Sequence, residues 1–458
     1  MKKIIILILS CIAFSCVASQ EKVSESAILI SNVNIVDVRT GDIIENRHVV
    51  VDSGKISKIS KSISNVDNFK TSIDGTGKFL IPGLAEMHAH IPQPSNSNPE
   101  IVGETLLLYL SNGITTIRGM LGHPSHLELR EKAKRNAILS PRIYTSSPSL
   151  NGNSIKTKEE AIQKVTTYKE AGYDFLKIHP GIKLEVFNAA VKTAKELEIP
   201  FAGHVPVDVG VRHAMESGFA SIDHVDGFLE GLVPQSANVK PNENGFFGYS
   251  FTSLANVDDI DELVSMSKEN KVWIVSTQSL FERWFAPITA DELLEEPEMK
   301  YMAKSTLDNW KRRKAQYTET NDFSMTQWEK FNEIRRQLMY KLQKNGHGML
   351  LGSDAPQLFN VPGFSIHHEI EGMKKAGLTP LEIIQSGTIN PAIYFDEEDK
   401  FGEIKEGLSA DLILLNANPL EDLKALKNIS GVMVRGKWLT NEIIDSKLLK
   451  IAKRNINK

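Results

Sequence analysis

Apolar and polar residues alternate in two rhythms along the chain. In residues 27–73 and again in 411–439, short runs rich in β-branched residues are separated by glycine turns, which indicates two small β modules. Between them, apolar runs alternate with stretches that carry apolar residues at three- and four-residue spacing, most clearly 158–171 and 184–197. Strands alternating with helices predict a parallel sheet, and eight of them predict a (β/α)8 barrel. The eight runs are 84–90, 114–120, 142–146, 175–179, 201–205, 221–225, 272–277 and 349–354.

The connection between the seventh and eighth predicted strands is unusually long. Residues 280–348 contain Trp284, Trp310 and Trp328 and many charged residues. Connections of this length in a compact domain are usually functional or disordered. The apolar periodicity favours ordered helices here, and we predict a helical insertion that caps the barrel mouth.

The first residues are typical of an export signal. Lys2 and Lys3 precede a short apolar run that is too short to span a bilayer as a stable helix. Residues 1–16 resemble a bacterial lipoprotein signal in which Cys16 becomes the lipidated N-terminal residue. Cys11 is a second candidate for that position, and an ordinary secretory signal cut near Ser19 is the alternative. We therefore expect an exported protein, located in the periplasm or on the outer membrane.

Composition narrows the classes of function. Hydrophobic residues make up 41 % of the chain, charged residues 24 %, and the formal net charge is −4, which fits a globular protein and gives no basic footprint for nucleic acid. The only cysteines are Cys11 and Cys16. A disulfide framework, a cysteine-based zinc site and a cysteine nucleophile are thereby excluded from the folded body.

Ligand-type side chains lie near the C-terminal ends of five of the predicted strands. A single residue separates His88 from His90, so in a strand both side chains point to the same side. Active sites of (β/α)8 barrels lie at this rim. A metal site is therefore expected there, and the later strands supply its other candidates, Lys177, His204, His224 and Asp354.

In combination and order, several motifs make the sequence resemble the amidohydrolase superfamily, with the imidazolonepropionase-like and prolidase-like branch as the nearest part. The resemblance covers nearly everything after the signal. It implies an α/β fold in which a (β/α)8 TIM barrel, residues 81–398, stands beside a composite β-sandwich domain made from 24–80 and 399–458. The motifs are 81–84 before His88 and His90, 113–118, 203–206, 352–355, 388–392 and 402–412.

The resemblance also implies two divalent metal ions, usually zinc. His88, His90 and Asp354 would bind one ion, and His204 and His224 the other. Lys177, carboxylated by carbon dioxide, would bridge them. Burial lowers the pKa of a lysine, and the neutral amine can form a carbamate. The alternative for Lys177 is an unmodified lysine paired with a nearby carboxylate.

The implied mechanism is hydrolysis by a hydroxide formed between the metals. Asp354 would accept the proton of the water and pass it to the leaving amine. We therefore predict an exported metal-dependent amidohydrolase that cleaves carbon–nitrogen bonds of small substrates such as dipeptides or N-acyl amino acids. Cyclic amides and lactones are alternative substrates, and a barrel that kept the metals but lost turnover is the alternative outside the enzymes. Whether the chain forms a homo-oligomer stays open.

Three further residues are candidates for binding substrate. Arg118 follows the second strand, and its planar fork could hold a substrate carboxylate, with a structural ion pair as the alternative. His123 lies in the next loop, where a solvated histidine is the competing interpretation. His179 lies two residues beyond Lys177 and could share its face.

Overall fold

The computed structural model describes residues 24, 26–64 and 66–456. The predicted signal, with Cys11 and Cys16, lies outside the described residues. The strands are β1 Ile28–Val36, β2 Ile43–Asp52, β3 Lys55–Ser60, β4 Thr71–Asp74, β5 Phe79–Pro82, β6 Leu84–Ala89, β7 Ile114–Gly119, β8 Arg142–Thr145, β9 Leu176–Ile178, β10 Phe201–Gly203, β11 Ser221–Asp223, β12 Trp273–Val275, β13 Met349–Leu350, β14 Leu412–Leu415, β15 Ile429–Val434 and β16 Lys437–Thr440.

The helices follow the predicted periodicity. They are α1 Ile101–Ser111, α2 Pro124–Lys134, α3 Lys158–Ala171, α4 Leu184–Glu196, α5 Val211–Glu216, α6 Phe228–Gly231, α7 Ile260–Glu269, α8 Gln278–Glu282, α9 Ala290–Leu294, α10 Lys304–Thr318, α11 Met325–Asn345, α12 Ser365–Lys375, α13 Pro380–Gly387, α14 Ile389–Tyr394 and α15 Asn441–Ile456. In the part of the chain that is described, no helix combines the length and the apolar character that crossing a membrane requires.

Strands from both ends of the chain form one eight-stranded sheet. Its order is β16-β15-β14-β5-β1-β2-β3, with β4 paired to β1. The junction between the two ends is antiparallel pairing of β5 with β14, from Phe79 opposite Leu415 to Pro82 opposite Leu412. The predicted boundary at residue 80 therefore falls inside β5. The two modules are joined as expected, although the described strands form a single sheet.

The eight strands of the middle region are parallel and lie where the apolar runs predict them. β6, β7 and β8 form one sheet, and β9 to β13 form a second in sequence order. Two isolated parallel bridges lie where the edges of these sheets meet. Ser146 pairs with Phe175 between β8 and β9, and Ala89 pairs with Ala355 between β6 and the segment after β13. The architecture is therefore α/β with parallel sheets, and the carboxyl ends of neighbouring strands lie side by side.

Local sequence signals set the helix bounds. The prediction of a helix over 158–171 is confirmed by α3, whose first turn is fixed by a capping box between Thr157 and Glu160. Gly172 ends it in a left-handed conformation with φ of 84°, which glycine adopts without strain. The predicted helix over 184–197 is confirmed by α4, which ends one residue earlier. Residues 280–348 are largely helical, as α8 to α11 show.

Candidate metal centre

Three of the predicted ligands converge where β6 ends and in the segment after β13. His88 lies near the end of β6, His90 directly follows this strand, and Asp354 lies four residues after β13. Asp354 Oδ1 lies 2.6 Å from His90 Nε2 and 3.4 Å from His88 Nε2. The ligand atoms of the three side chains all lie within 4.8 Å of one another. A backbone hydrogen bond from His90 N to Ala355 O, 2.8 Å long, holds the two segments together.

This donor set fits a divalent cation. Oδ1 of Asp354 is buried and has no hydrogen-bond partner among the described residues. The carboxylate oxygen is close to His90 Nε2 without hydrogen-bond geometry, as expected of atoms directed at a shared ligand. Imidazole nitrogen and carboxylate oxygen are standard zinc ligands. The three side chains can therefore hold one ion.

The other two predicted histidines adjoin this group and have partners at Nδ1. His204 Nδ1 donates a 3.0 Å hydrogen bond to Asp226, and His224 Nδ1 is 2.7 Å from Thr277 Oγ1. The centroids of the His204 and His224 rings are 4.5 Å apart, and those of His224 and His88 are 4.6 Å apart. A partner at Nδ1 fixes the ring and leaves Nε2 available to a metal.

A buried ion-pair network lies beside the imidazoles. Lys177 Nζ donates to Asp223 Oδ2 at 3.1 Å, and Arg118 Nη2 donates to Asp223 Oδ1 at 3.0 Å. His88 Nδ1 is 3.2 Å from the same carboxylate. The side chains of Lys177, Asp223 and Arg118 have no exposed area. One carboxylate thus faces two buried cations, and its contact with Lys177 is the ion pair that we gave as the alternative to carboxylation.

The pKa shifts follow from this burial and crowding of charge. Burial and then the charge of Lys177 lower the pKa of His88 to about 4. Burial holds the pKa of His224 well below its usual value and lowers that of Lys177. Burial opposes ionisation of Asp223, but Lys177, His88 and Arg118 together hold its pKa well below the usual range. Neutral imidazoles and an ionised carboxylate are the forms that bind a divalent ion.

The backbone is strained where it presents these groups. His224, Thr277 and Asp354 all have left-handed φ angles, of 65°, 44° and 64°. Such conformations cost of order 1–3 kcal/mol each for residues other than glycine and cluster at functional sites. Close packing also restricts which residue can occupy position 352, because a Cβ on Gly352 would lie only 2.8 Å from the backbone nitrogen of His88.

An aromatic side chain covers the second pair of histidines. The ring centroid of Phe247 lies 5.3 Å from that of His224 and 5.8 Å from that of His204. Its neighbour Phe246 packs against rings of the helical insertion, those of Phe281, Trp284, Phe285 and Tyr317. The ring that reaches the histidines therefore comes from the connection between β11 and α7, and the insertion 280–348 supports it from behind.

The three substrate candidates occupy different places. Arg118 is fully buried, and its remaining donors are used by Met87 O, Ser221 Oγ and the Tyr394 hydroxyl. Its burial and its contact with Asp223 agree with the alternative of a structural ion pair, and the binding of a substrate carboxylate by Arg118 stays a prediction. His123 caps α2 by accepting a hydrogen bond from Ser125 N, and its ring contacts that of His126 in that helix. The ring of His179 lies next to the cluster, with its centroid 4.9 Å from that of His204 and the two planes tilted.

Four further residues of the site were missed in the sequence. Glu86 accepts hydrogen bonds from the backbone nitrogens of His88 and Ser353, and burial raises its pKa to about 8. Strand alternation could have found Glu86, two residues before His88, and Asp223, two residues after Ser221. The other two, Asp226 and Thr277, come after the ends of β11 and β12, where the two-residue alternation of a strand no longer predicts which way a side chain points.

A second group of potential ligands has a simpler explanation. Glu296, Glu298 and His368 lie close enough to hold an ion. However, Arg283 forms a bidentate ion pair with Glu296, and His368 Nε2 lies 2.6 Å from a Glu298 oxygen. A guanidinium inside the group opposes a divalent cation, so these residues form an ion-pair network.

The sequence matches a known protein family over most of its length. The model of a family described as the amidohydrolase family matches residues 79–278 and 286–439. A dihydroorotase of Bacillus cytotoxicus is 28 % identical over 165 residues, which are 34 % of this chain and 37 % of the relative. A dihydroorotase of Elusimicrobium minutum is 23 % identical over 218 residues, 47 % of each chain. The chain thus matches less than half the length of these relatives.

Solved structures extend the likeness to nearly the whole fold. A bottromycin amidohydrolase has a TM-score of 0.71 at 19 % identity, covering 94 % of this chain and 91 % of its own. A structure described as a putative prolidase from Bifidobacterium longum has a TM-score of 0.65 at 23 % identity, covering 93 % and 99 %. A Xaa-Pro dipeptidase with bound methionine in its active site has a TM-score of 0.63 at 20 % identity, covering 90 % and 100 %.

Proposed function

Because this chain belongs to the amidohydrolase family, we propose that it is a metal-dependent hydrolase that cleaves carbon–nitrogen bonds of small substrates such as dipeptides or N-acyl amino acids. The observation that carries the proposal is the convergence of His88, His90 and Asp354 beside His204 and His224. The prolidase and dipeptidase among the similar structures favour a small peptide as substrate.

The proposal includes the finer architecture. The bridges next to both pairs of sheet edges support a closed (β/α)8 barrel over residues 81–398, with 280–348 inserted. The shared sheet of the two terminal segments supports a composite β domain, for which a sandwich form stays our prediction. Active sites of such barrels lie at the carboxyl ends of the strands, where the five ligand candidates and Lys177 are found.

The proposed cofactors are two divalent ions, with zinc as the expected metal. His88, His90 and Asp354 would hold one, His204 and His224 the other, and a carboxylated Lys177 would bridge them. Such ions lower the pKa of water and polarise a substrate carbonyl. Burial lowers the pKa of the Lys177 amine, which supports carboxylation because only a neutral amine reacts with carbon dioxide. Carboxylation would replace the ion pair with Asp223, and that ion pair supports the unmodified lysine as the alternative.

The side chains of this protein supply the proton handling and the orientation. Asp354 would accept the proton of the attacking water and return it to the leaving amine. Asp226 and Thr277 fix the rings of His204 and His224 through Nδ1. Phe247 covers these two rings and excludes bulk water from them.

A cyclic amide is the second candidate substrate. It is favoured by the dihydroorotases among the relatives, although the matched segments cover less than half of each chain. Lactones would be attacked by the same chemistry. A barrel that binds metal without turnover is the remaining alternative, and because it would keep the same ligands, only an activity assay on the metal-loaded protein separates it from the enzyme.

We also propose export, on the strength of the charged and apolar pattern of residues 1–16. A lipid at Cys16 would be the only membrane attachment, and the expected partner is a small molecule rather than nucleic acid. Replacement Cys16→Ser should release the protein from the membrane fraction. Unchanged fractionation would contradict lipidation at this residue.

The function is tested by amine release from a dipeptide library, using zinc-loaded protein without residues 1–16. Cleavage of a defined subset is the expected result and would identify the preferred side chains. If no dipeptide is cleaved while metal is bound, the peptidase proposal fails and cyclic amides, N-acyl compounds and lactones are tested next. A chain that binds zinc and cleaves none of these compounds would support the barrel without turnover, and a chain that takes up no zinc would contradict the metal-dependent function.

A further inference from the structure

Arg335 of α11 reaches from the helical insertion to the backbone of a proposed ligand. Its guanidinium donates from Nη1 to His224 O at 2.8 Å, from Nη2 to Ser276 O at 3.2 Å and from Nε to Gln278 Oε1 at 3.0 Å. The side chain is buried, with 2 % exposed. The planar guanidinium of Arg335 thus links His224, which follows β11, to Ser276 and Gln278, which follow β12.

The environment of Arg335 is unusual for an arginine. Among the described residues, no carboxylate lies within ion-pair distance of its guanidinium, and its three acceptors are neutral oxygens. A charge buried in this way costs several kcal/mol unless its hydrogen bonds are well directed. The next residue, Arg336, is 32 % exposed and pairs with Glu282, the usual arrangement for an arginine on a helix surface.

The carbonyl that Arg335 binds belongs to a strained residue. His224 has φ of 65°, and Val225 after it has φ of 53°. The backbone nitrogen of His224 donates to Val275 O at 2.6 Å. With its N–H tied to β12 and its C=O tied to Arg335, the peptide units on both sides of His224 are fixed. Because the Cα–Cβ bond follows the backbone, these bonds set the direction of the imidazole.

The same side chain also supports the ring that covers the site. The guanidinium carbon lies 3.4 Å from the ring centroid of Phe281, a close cation–π contact. The Phe281 ring contacts that of Phe247 edge to face at 5.2 Å, and Phe247 lies 5.3 Å from His224. Arg335 therefore reaches His224 by two routes, through the backbone carbonyl and through the contacting rings of Phe281 and Phe247.

We propose that Arg335 is a positioning residue that makes the ion site of His204 and His224 depend on the helical insertion. This inference rests on the proposed metal-dependent function. Lysine cannot replace the fork, because an ammonium on a flexible chain cannot satisfy three acceptors in one plane. The expected consequence of removing the fork is a loosened ion at His204 and His224, with the ion at His88, His90 and Asp354 retained.

The test compares Arg335→Lys with Arg336→Lys, its neighbour on α11. Zinc is titrated into each metal-stripped protein in competition with a chelating dye, and Co2+ is then bound to record its absorption spectrum. In Arg335→Lys we expect the dissociation constant of one ion to rise about 10- to 100-fold, as for other partners of metal ligands. The spectrum of that site should change, while Arg336→Lys should match the wild type.

The outcomes separate the two proposals. A merely structural Arg335 would lower the melting temperature of the metal-free protein and leave both zinc constants unchanged, which would overturn the inference. If Arg335→Lys does not fold, Arg335→Gln is titrated in its place, because it also lacks the fork that reaches His224 O, and unchanged zinc constants in that variant would likewise overturn the inference. A wild-type chain that binds one zinc ion overturns this inference alone. One that binds none overturns the proposed function.

Discussion

The two halves of the candidate metal centre are built differently. His88, His90 and Asp354 come from β6 and the segment after β13, and a backbone hydrogen bond between these neighbours is enough to bring their ligand atoms together. His204 and His224 depend on groups outside the strands, Asp226, Thr277 and Arg335 among them. The pairing of neighbouring strands positions the ligands of the first half, whereas residues of the long connections between strands orient the ligands of the second half.

The two halves therefore have different proposed roles, proton transfer in the first and adjustment of metal affinity in the second. The first half holds Asp354, the proposed proton carrier, at a position that the parallel strands dictate. The second half presents histidines whose orientation is set by loop residues and by α11. Changes in the first half should therefore abolish the reaction, whereas changes around the second should adjust affinity for metal and substrate.

The largest effect is expected from Asp354→Asn. The amide cannot accept the proton of the attacking water, and positioned acid–base groups contribute about 10²–10⁴ in rate. We expect kcat/KM for amine release to fall by about this factor. The measurement is a stopped assay on the best dipeptide substrate at equal metal occupancy. Activity within a few-fold of the wild type would show that the proton is carried elsewhere.

Next in size is the effect of Arg118→Met on stability. The substitution leaves Asp223 with one fewer cation in a fully buried place. Removing one partner of a buried ion pair typically costs about 3–5 kcal/mol. We expect a loss of that order in the free energy of unfolding, measured by urea denaturation of the metal-free protein. Because Arg118 lies under both halves, zinc binding should weaken at both sites alike.

A smaller and one-sided effect is expected from Asp226→Asn. The amide can still lie beside His204 Nδ1 but carries no charge to fix the ring and raise its basicity. Zinc affinity of one site should fall about 10- to 100-fold. Glu86→Gln, on the other half, serves as the matched control because it too replaces a buried carboxyl behind a histidine. Equal loss of both ions in Asp226→Asn would contradict the division into halves.

Strand positions were the predictable part of this molecule. The apolar runs located all the parallel strands because a buried strand must be apolar whatever surrounds it. His88 and His90 could be placed on one face for the same reason, since a strand has a fixed period of two. The helix over 158–171 was equally accessible, because its capping box and glycine stop are local signals.

Contacts across long sequence distances were not predictable. Arg335 lies far along the chain from His224, and nothing in its helix marks it apart from Arg336. For Arg118 the sequence left substrate binding and a structural ion pair open, and it could not identify Asp223, a residue with no assigned role, as the contacting carboxylate. The covering ring of Phe247 was missed for a similar reason, since aromatic residues in loops are usually packing.

The smallest predicted effect concerns Glu230, in the connection that carries Phe247. Burial, and then the charge of Asp226, raises the pKa of Glu230 to about 7, from an ordinary value near 4.5. Between these two pH values the folded protein holds a proton that the unfolded chain has released. Glu230 therefore stabilises the fold fully below pH 4.5, and this contribution is lost as the pH rises through 7.

Glu230→Gln keeps the shape of the neutral acid and removes its titration. We expect the free energy of unfolding of the metal-free wild type to decline between pH 5 and 7.5, by about 1 kcal/mol per pH unit or less. The variant should show a flatter profile over the same range. Glu86→Gln tests the other half in the same way, because burial raises the pKa of Glu86 to about 8. A profile unchanged by Glu230→Gln would mean that this carboxyl is ionised in the folded protein, with Asn244, which donates to its Oε1 at 2.7 Å, sufficient to hold the charge.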